Sequence, residues 1–203
     1  MTTWQADGVF VKVCGLDTPE NVEAAVEAGA DAIGFVHWEP SVRHRELDEI
    51  RRLAALAEVP TVLVTVDQSS AALLEAAARA GVDAVQPHGR DALIAGAAAR
   101  RAGLGVIFPI KAGEQTPPND ELLLVDTPHG GPEGGTGETF DWELAASLDR
   151  PFLLAGGLDT DNVADAVRKV RPFGVDASSG LESSPGVKDA ELIRRFVAAA
   201  KGA

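Results

Sequence analysis

Short apolar runs rich in β-branched residues alternate with longer stretches of helical periodicity along the whole chain. Val9–Val13, Ala32–Val36, Thr61–Val66, Ala84–Gln86, Gly105–Ile110, Leu122–Asp126, Phe152–Ala155 and Gly174–Ala177 read as strands, eight in all. Helical patterns follow most of them. Thr18 can cap a first helix that has Pro19 at its first position. Further helices are expected over roughly Leu47–Ala57, Ala71–Ala80 (stopped by Gly81), Asp91–Ala102 (stopped by Gly103), Asp141–Leu148, Asp161–Val170 and Asp189–Lys201. After the fifth strand the connection is polar and rich in Pro and Asn, which argues against a regular helix there.

Strands that alternate with helices imply right-handed crossovers and a parallel sheet. Eight such units predict a closed (β/α)8 TIM barrel, with an open doubly wound sheet as the fallback. The first turn, Cys14-Gly15-Leu16-Asp17, lacks the GxGxxG pattern expected of the open alternative. At 203 residues, without a Pro/Gly/Ser-rich linker, the chain reads as one catalytic domain over 1–203. Pro128–Thr139 is rich in glycine but lacks the Lys-Ser/Thr pair of a P-loop; it reads as a loop over an active site or, more plainly, a tolerated surface loop.

Composition narrows the function classes. Hydrophobic residues at 45% and charged residues at 24% are ordinary globular usage, so disorder is not expected. A net charge of −13 argues against nucleic acid or an anionic membrane as partner. Any anionic ligand must therefore meet a locally positive site, which backbone N–H groups at helix N-termini can supply. The single cysteine excludes an intramolecular disulfide. With neither a signal-like start nor an apolar run of membrane length, a cytoplasmic location is the expectation. No CxxC or HExxH spacing suggests a metal, and Asp159-Thr160-Asp161 reads as helix-capping chemistry.

In a barrel the active site lies where strands end and βα loops begin. Cys14 ends the first strand. An isolated cysteine is commonly core filler; at a strand end beside Gly15 it could be a base or a nucleophile, with His37, His44, His88 and His129 as possible partners. Gln86 and His88 close the fourth strand. Asp126 follows Leu122-Leu123-Leu124-Val125, where burial at an apolar mouth would raise its pKa toward that of a general acid; a turn aspartate is the structural alternative. Gly156-Gly157 and Ser178-Ser179-Gly180 end the last two strands, where barrels commonly bind phosphate together with a short extra helix, and Gly135-Thr136-Gly137 could reach the same anion. Ordinary turn glycines are the competing account.

The stretches Lys12-Val13-Cys14-Gly15-Leu16, Ser41-Val42-Arg43, Val85-Gln86-Pro87-His88-Gly89, Asp126, Gly135-Thr136-Gly137, Leu154-Ala155-Gly156-Gly157-Leu158, Gly174-Val175-Asp176-Ala177-Ser178-Ser179-Gly180-Leu181-Glu182 and Pro185-Gly186-Val187-Lys188-Asp189 fall in an order that resembles phosphoribosylanthranilate isomerase over nearly the whole chain. The resemblance implies a cofactor-independent, metal-free Amadori rearrangement of a phosphorylated sugar derivative in tryptophan biosynthesis, by a monomer or homodimer. It further implies Asp126 as general acid, Cys14 as general base and Arg43 as the partner of the anthranilate carboxylate. Gln86 and His88 would contact substrate, and the glycine and serine ends would hold its phosphate.

The chain departs from the family's usual pattern around Arg43, where His37-Trp38-Glu39-Pro40-Ser41-Val42-Arg43 stands in place of a sequence close to F-Y-P-K-S-P-R. It also carries Glu138 where a lysine is common, and Pro87 where a leucine is usual. Two other readings stay open on sequence: isomerisation of the related aminoimidazole carboxamide ribotide, and a non-catalytic barrel that binds a phosphate ester. Two similar halves and an aspartate in place of Cys14 would mark the first; the second needs neither Cys14 nor Asp126.

Overall fold

The computed structural model describes residues 4–111, 122–126, 145, 146 and 148–203. Eight strands close into a parallel barrel in chain order: β1 (Phe10–Cys14), β2 (Ala32–Val36), β3 (Thr61–Val66), β4 (Ala84–His88), β5 (Gly105–Lys111), β6 (Leu122–Asp126), β7 (Phe152–Ala155) and β8 (Gly174–Ala177), with β8 returning to pair with β1. The barrel is therefore found, and the open sheet is excluded. Around it lie α1 (Pro19–Glu27), α2 (Leu47–Ala54), α3 (Ser70–Ala80), α4 (Ala92–Arg101), α5 (Val163–Val170) and α6 (Ala190–Lys201). Among the described residues, no helix is long and apolar enough to cross a membrane.

Side chains alternate across each strand, and that period divides the core in two. On β1, Val11 and Val13 turn outward into the apolar layer beneath the helices, with Leu16, Val22, Ile193 and Phe196. Phe10 turns inward and joins Ala32, Val62, Ala84, Ile107, Leu124 and Leu153 in the plug that fills the barrel. The same period sends Lys12 and Cys14 to the inside, above Phe10. In register, Lys12 lies opposite Asp176 on β8, and Cys14 opposite Gly34 on β2.

Local chemistry explains most boundaries. Thr18 Oγ1 accepts from Asn21 N–H at 3.3 Å and Pro19 opens α1, as expected. Gly81 closes α3 in the left-handed conformation. Helix α2 stops at Ala54 rather than Ala57, and α5 begins at Val163 rather than Asp161. The late start of α5 follows from Asp159 Oδ1, which accepts from the N–H groups of both Asp161 and Asn162 and bends the chain into a turn. The connection after β5, most of the expected helix Asp141–Leu148 and the loop Pro128–Thr139 lie outside the described residues. After β8 comes a small antiparallel hairpin, β9 (Glu182–Ser184) and β10 (Val187–Lys188), which the sequence reading did not include.

Candidate active site

At the C-terminal ends of the strands is a cavity of about 410 Å³. Cys14, Arg43, Gln86, His88, Asp126, Gly156, Gly157, Ser178 and Ser179 all line it, together with Asp176. Residues expected from six separate strand ends thus surround one space. Gly180 does not line it: a Cβ there would lie 2.1 Å from Leu158 O, so this glycine permits the close approach of the chain after β7 to the chain after β8. Gly135, Thr136 and Gly137 lie outside the described residues.

Cys14 is the last residue of β1 and is 5% exposed. Burial pushes its thiol above the ordinary value; Lys12 and Lys188 pull it back, and Asp176 opposes them. Asp126 ends β6 as its one exposed residue, after four buried ones. The burial expected of this carboxylate is not found, because the last residue of the strand projects past the apolar plug. On β4, Gln86 Nε2 donates to His88 Nε2 at 2.9 Å. Burial, reinforced by the Lys12 charge, lowers the His88 pKa to about 4, so the imidazole is neutral at physiological pH. It can accept or donate a hydrogen bond but cannot attract an anion by charge. Gln86 Oε1 is buried and has no hydrogen-bond partner among the described residues, leaving an acceptor beside the cavity.

Arg43 follows β2 in a short loop held by Ser41 Oγ, which accepts from Arg43 N–H at 3.1 Å. Its guanidinium forms a bidentate pair with Glu182, Nε to Oε1 at 2.6 Å and Nη2 to Oε2 at 2.8 Å. Lys188 Nζ donates to Glu182 Oε1 at 2.8 Å, to Ser178 O at 2.8 Å and to Ser178 Oγ at 3.3 Å. The β9–β10 hairpin therefore ties the arginine loop to the serine end of β8. On the neighbouring strand end, Gly156 and Gly157 have φ of 89° and 61°, a left-handed pair that L side chains rarely adopt. Asn162 fixes that turn: Nδ2 donates to Gly157 O at 2.8 Å, and Oδ1 accepts from Asp159 N–H at 3.0 Å.

Sequence reasoning did not single out Lys12, Asp176, Glu182 or Lys188 as functional. Lys12 and Asp176 carried a signal nonetheless, since each places a charge inside an otherwise apolar strand.

Comparison with known proteins identifies the family. The family model described as N-(5'phosphoribosyl)anthranilate (PRA) isomerase matches residues 11–199. The N-(5'-phosphoribosyl)anthranilate isomerase of Haloferax volcanii is 41% identical over 206 residues, which cover 95% of this chain and 93% of that protein. The crystal structure of phosphoribosyl anthranilate isomerase from Thermotoga maritima superposes with a TM-score of 0.82 at 34% identity, covering 96% of this chain and 100% of that one. A phosphoribosyl anthranilate isomerase solved in complex with reduced 1-(o-carboxyphenylamino)-1-deoxyribulose 5-phosphate gives 0.79 at 32% identity, with the same coverage. This chain is an isomerase and belongs to the N-(5'-phosphoribosyl)anthranilate isomerase family.

Proposed function

We propose that the chain rearranges N-(5-phosphoribosyl)anthranilate to 1-(2-carboxyphenylamino)-1-deoxyribulose 5-phosphate, with Asp126 as general acid and Cys14 as general base. The observation that carries this reading is the meeting of Cys14, Asp126, Arg43 and the glycine and serine ends of β7 and β8 in one cavity. A relative of the same fold holds the reduced form of that product, which supports the choice of substrate.

Strands β1 and β6 lie three places apart round the ring, so Cys14 and Asp126 approach a bound sugar from different sides. Asp126 gives a proton to the ribose ring oxygen; the ring opens and leaves a protonated imine at C1. That cation acidifies the hydrogen on C2, and Cys14 removes it as the neighbouring bond shifts to give an enolamine. Tautomerisation yields the ketone, so the reaction needs no external oxidant. Arg43 meets the anthranilate carboxylate through the Nη1 edge not committed to Glu182. The phosphate sits at Gly156, Gly157, Ser178 and Ser179, where backbone N–H groups and hydroxyls hold an anion that the net charge of −13 repels. Gln86 and His88 contact the sugar as neutral hydrogen-bonding groups.

Turnover of the fluorescent substrate by Cys14→Ala and Asp126→Asn tests the two roles. Loss of a general base or acid costs about 10²- to 10⁴-fold in rate. Both variants are expected to lose at least that much while keeping native circular dichroism. Wild-type rates in either would remove that residue from its assigned role.

A further inference from the structure

Beneath Cys14, the inside of the barrel breaks its own apolar rule. Lys12 is 0% exposed, and its Nζ donates to Asp176 Oδ1 at 2.7 Å. The plug below is apolar, and Gln86, the buried polar side chain on β4, carries no charge. A buried ion pair is a poor source of stability, since apolar residues of equal volume commonly serve as well or better. The fold alone does not call for this one.

Its place suggests what does. Lys12 and Cys14 share one face of β1. At Gly34, in register with Cys14, a Cβ would lie 2.9 Å from Cys14 Sγ and 3.4 Å from both Cε and Nζ of Lys12. The thiol and the ammonium therefore converge on the gap that this glycine leaves. Asp176 reaches the cavity wall, whereas Lys12 does not, so Lys12 lies behind the thiol and cannot touch a ligand.

Resting on the reading of Cys14 as the base, we infer that Lys12 is a positioning residue that holds the Cys14 thiolate, and that Asp176 anchors Lys12 for this purpose. Burial disfavours the Lys12 charge, yet Asp176 and Cys14 together hold its pKa above that of an ordinary lysine, so the ammonium persists. Burial also disfavours the thiolate, and Lys12 is the largest influence acting the other way. Among the described residues, the other charged or titratable groups facing this space are Lys188 on β10, Glu182 on β9, Arg43 after β2, His88 on β4 and Asp126 on β6. Lys188 reinforces Lys12, but Glu182 already holds it.

Cys14 is the only cysteine, so the pH dependence of iodoacetamide alkylation of the unliganded full chain reports its ionisation directly. Lys12→Met leaves Asp176 unpaired and can fail to fold, so the double variant Lys12→Met/Asp176→Asn is measured beside it. In both, the alkylation midpoint is expected to rise by about one pH unit, which is about a tenfold slower reaction at fixed neutral pH. A rise of at least about half a unit in the double variant supports the inference, and a smaller rise or a fall overturns it. Turnover keeps the two readings apart. If Cys14 is the base, the acidic limb of kcat/KM moves with the thiol midpoint. A shifted thiol with an unshifted limb would retain the effect of Lys12 and remove Cys14 from the base's role.

Discussion

Glu182 shows what one side chain contributes when three donors converge on it. Its carboxylate accepts from Arg43, Lys188 and Gly186 N–H, and its side chain is 4% exposed. Burial alone would raise its pKa, but those donors lower it from 4.5 to about 2. A folded-state pKa below the unfolded value means that the stabilisation is present above about pH 4.5. It is then lost as pH falls toward 2. Glu182→Gln is expected to flatten the decline in thermal midpoint across that window. Up to about 3 kcal/mol of stability at neutral pH would go with the ion pair. An identical pH profile for variant and wild type would show that the network contributes nothing. The same substitution releases Arg43, so KM should rise more than kcat falls.

At the scale of elements, the site depends on how strand ends are shaped before they reach the cavity. The left-handed glycine pair after β7 is held by Asn162, from the turn that precedes α5. Removing two hydrogen bonds from a partly buried turn costs about 1–3 kcal/mol. Asn162→Ala is expected to weaken binding of the substrate, or of inorganic phosphate as a competitor, by about tenfold with kcat within about twofold of wild type. A large fall in kcat with unchanged KM would move this turn from anion binding to the chemical step. The β9–β10 hairpin does comparable work for Arg43 and Ser178. It was not foreseen because two strands of three and two residues leave almost no periodic pattern. The turn before α5, in contrast, is legible as the capping chemistry of Asp159-Thr160-Asp161, although the pattern places Asp161 and Asn162 inside the helix.

For the molecule as a whole, the acidic surface sets a global condition. A formal charge of −13 on 203 residues repels itself, and mobile ions screen that repulsion. Raising NaCl from about 0.01 M to 0.15 M shortens the screening length from about 30 Å to 8 Å. The thermal midpoint is expected to rise over that range, by roughly 2–4 °C for each kcal/mol of repulsion relieved. A falling midpoint would mean that attractive pairs such as Arg79–Asp48 and Lys201–Asp31 outweigh the net repulsion.

Local pattern carried the number and order of the strands, because alternation of β-branched runs with helical periodicity needs no partner to be visible. It carried the line of polar strand ends for the same reason: Cys14, Gln86, His88, Asp126 and Ser178 each stand where an apolar run stops. Tertiary structure alone decided which of these meet and what surrounds them. Lys12 and Asp176 are 164 positions apart, and Arg43 and Glu182 are 139 apart. Closure of β8 onto β1 makes the first pair, and the hairpin reaching back toward the loop after β2 makes the second. The environment of each acid or base follows from that closure. Whether Cys14 is crowded by a lysine, or Asp126 is buried or exposed, depends on neighbours from distant strands, and no window of adjacent residues contains them.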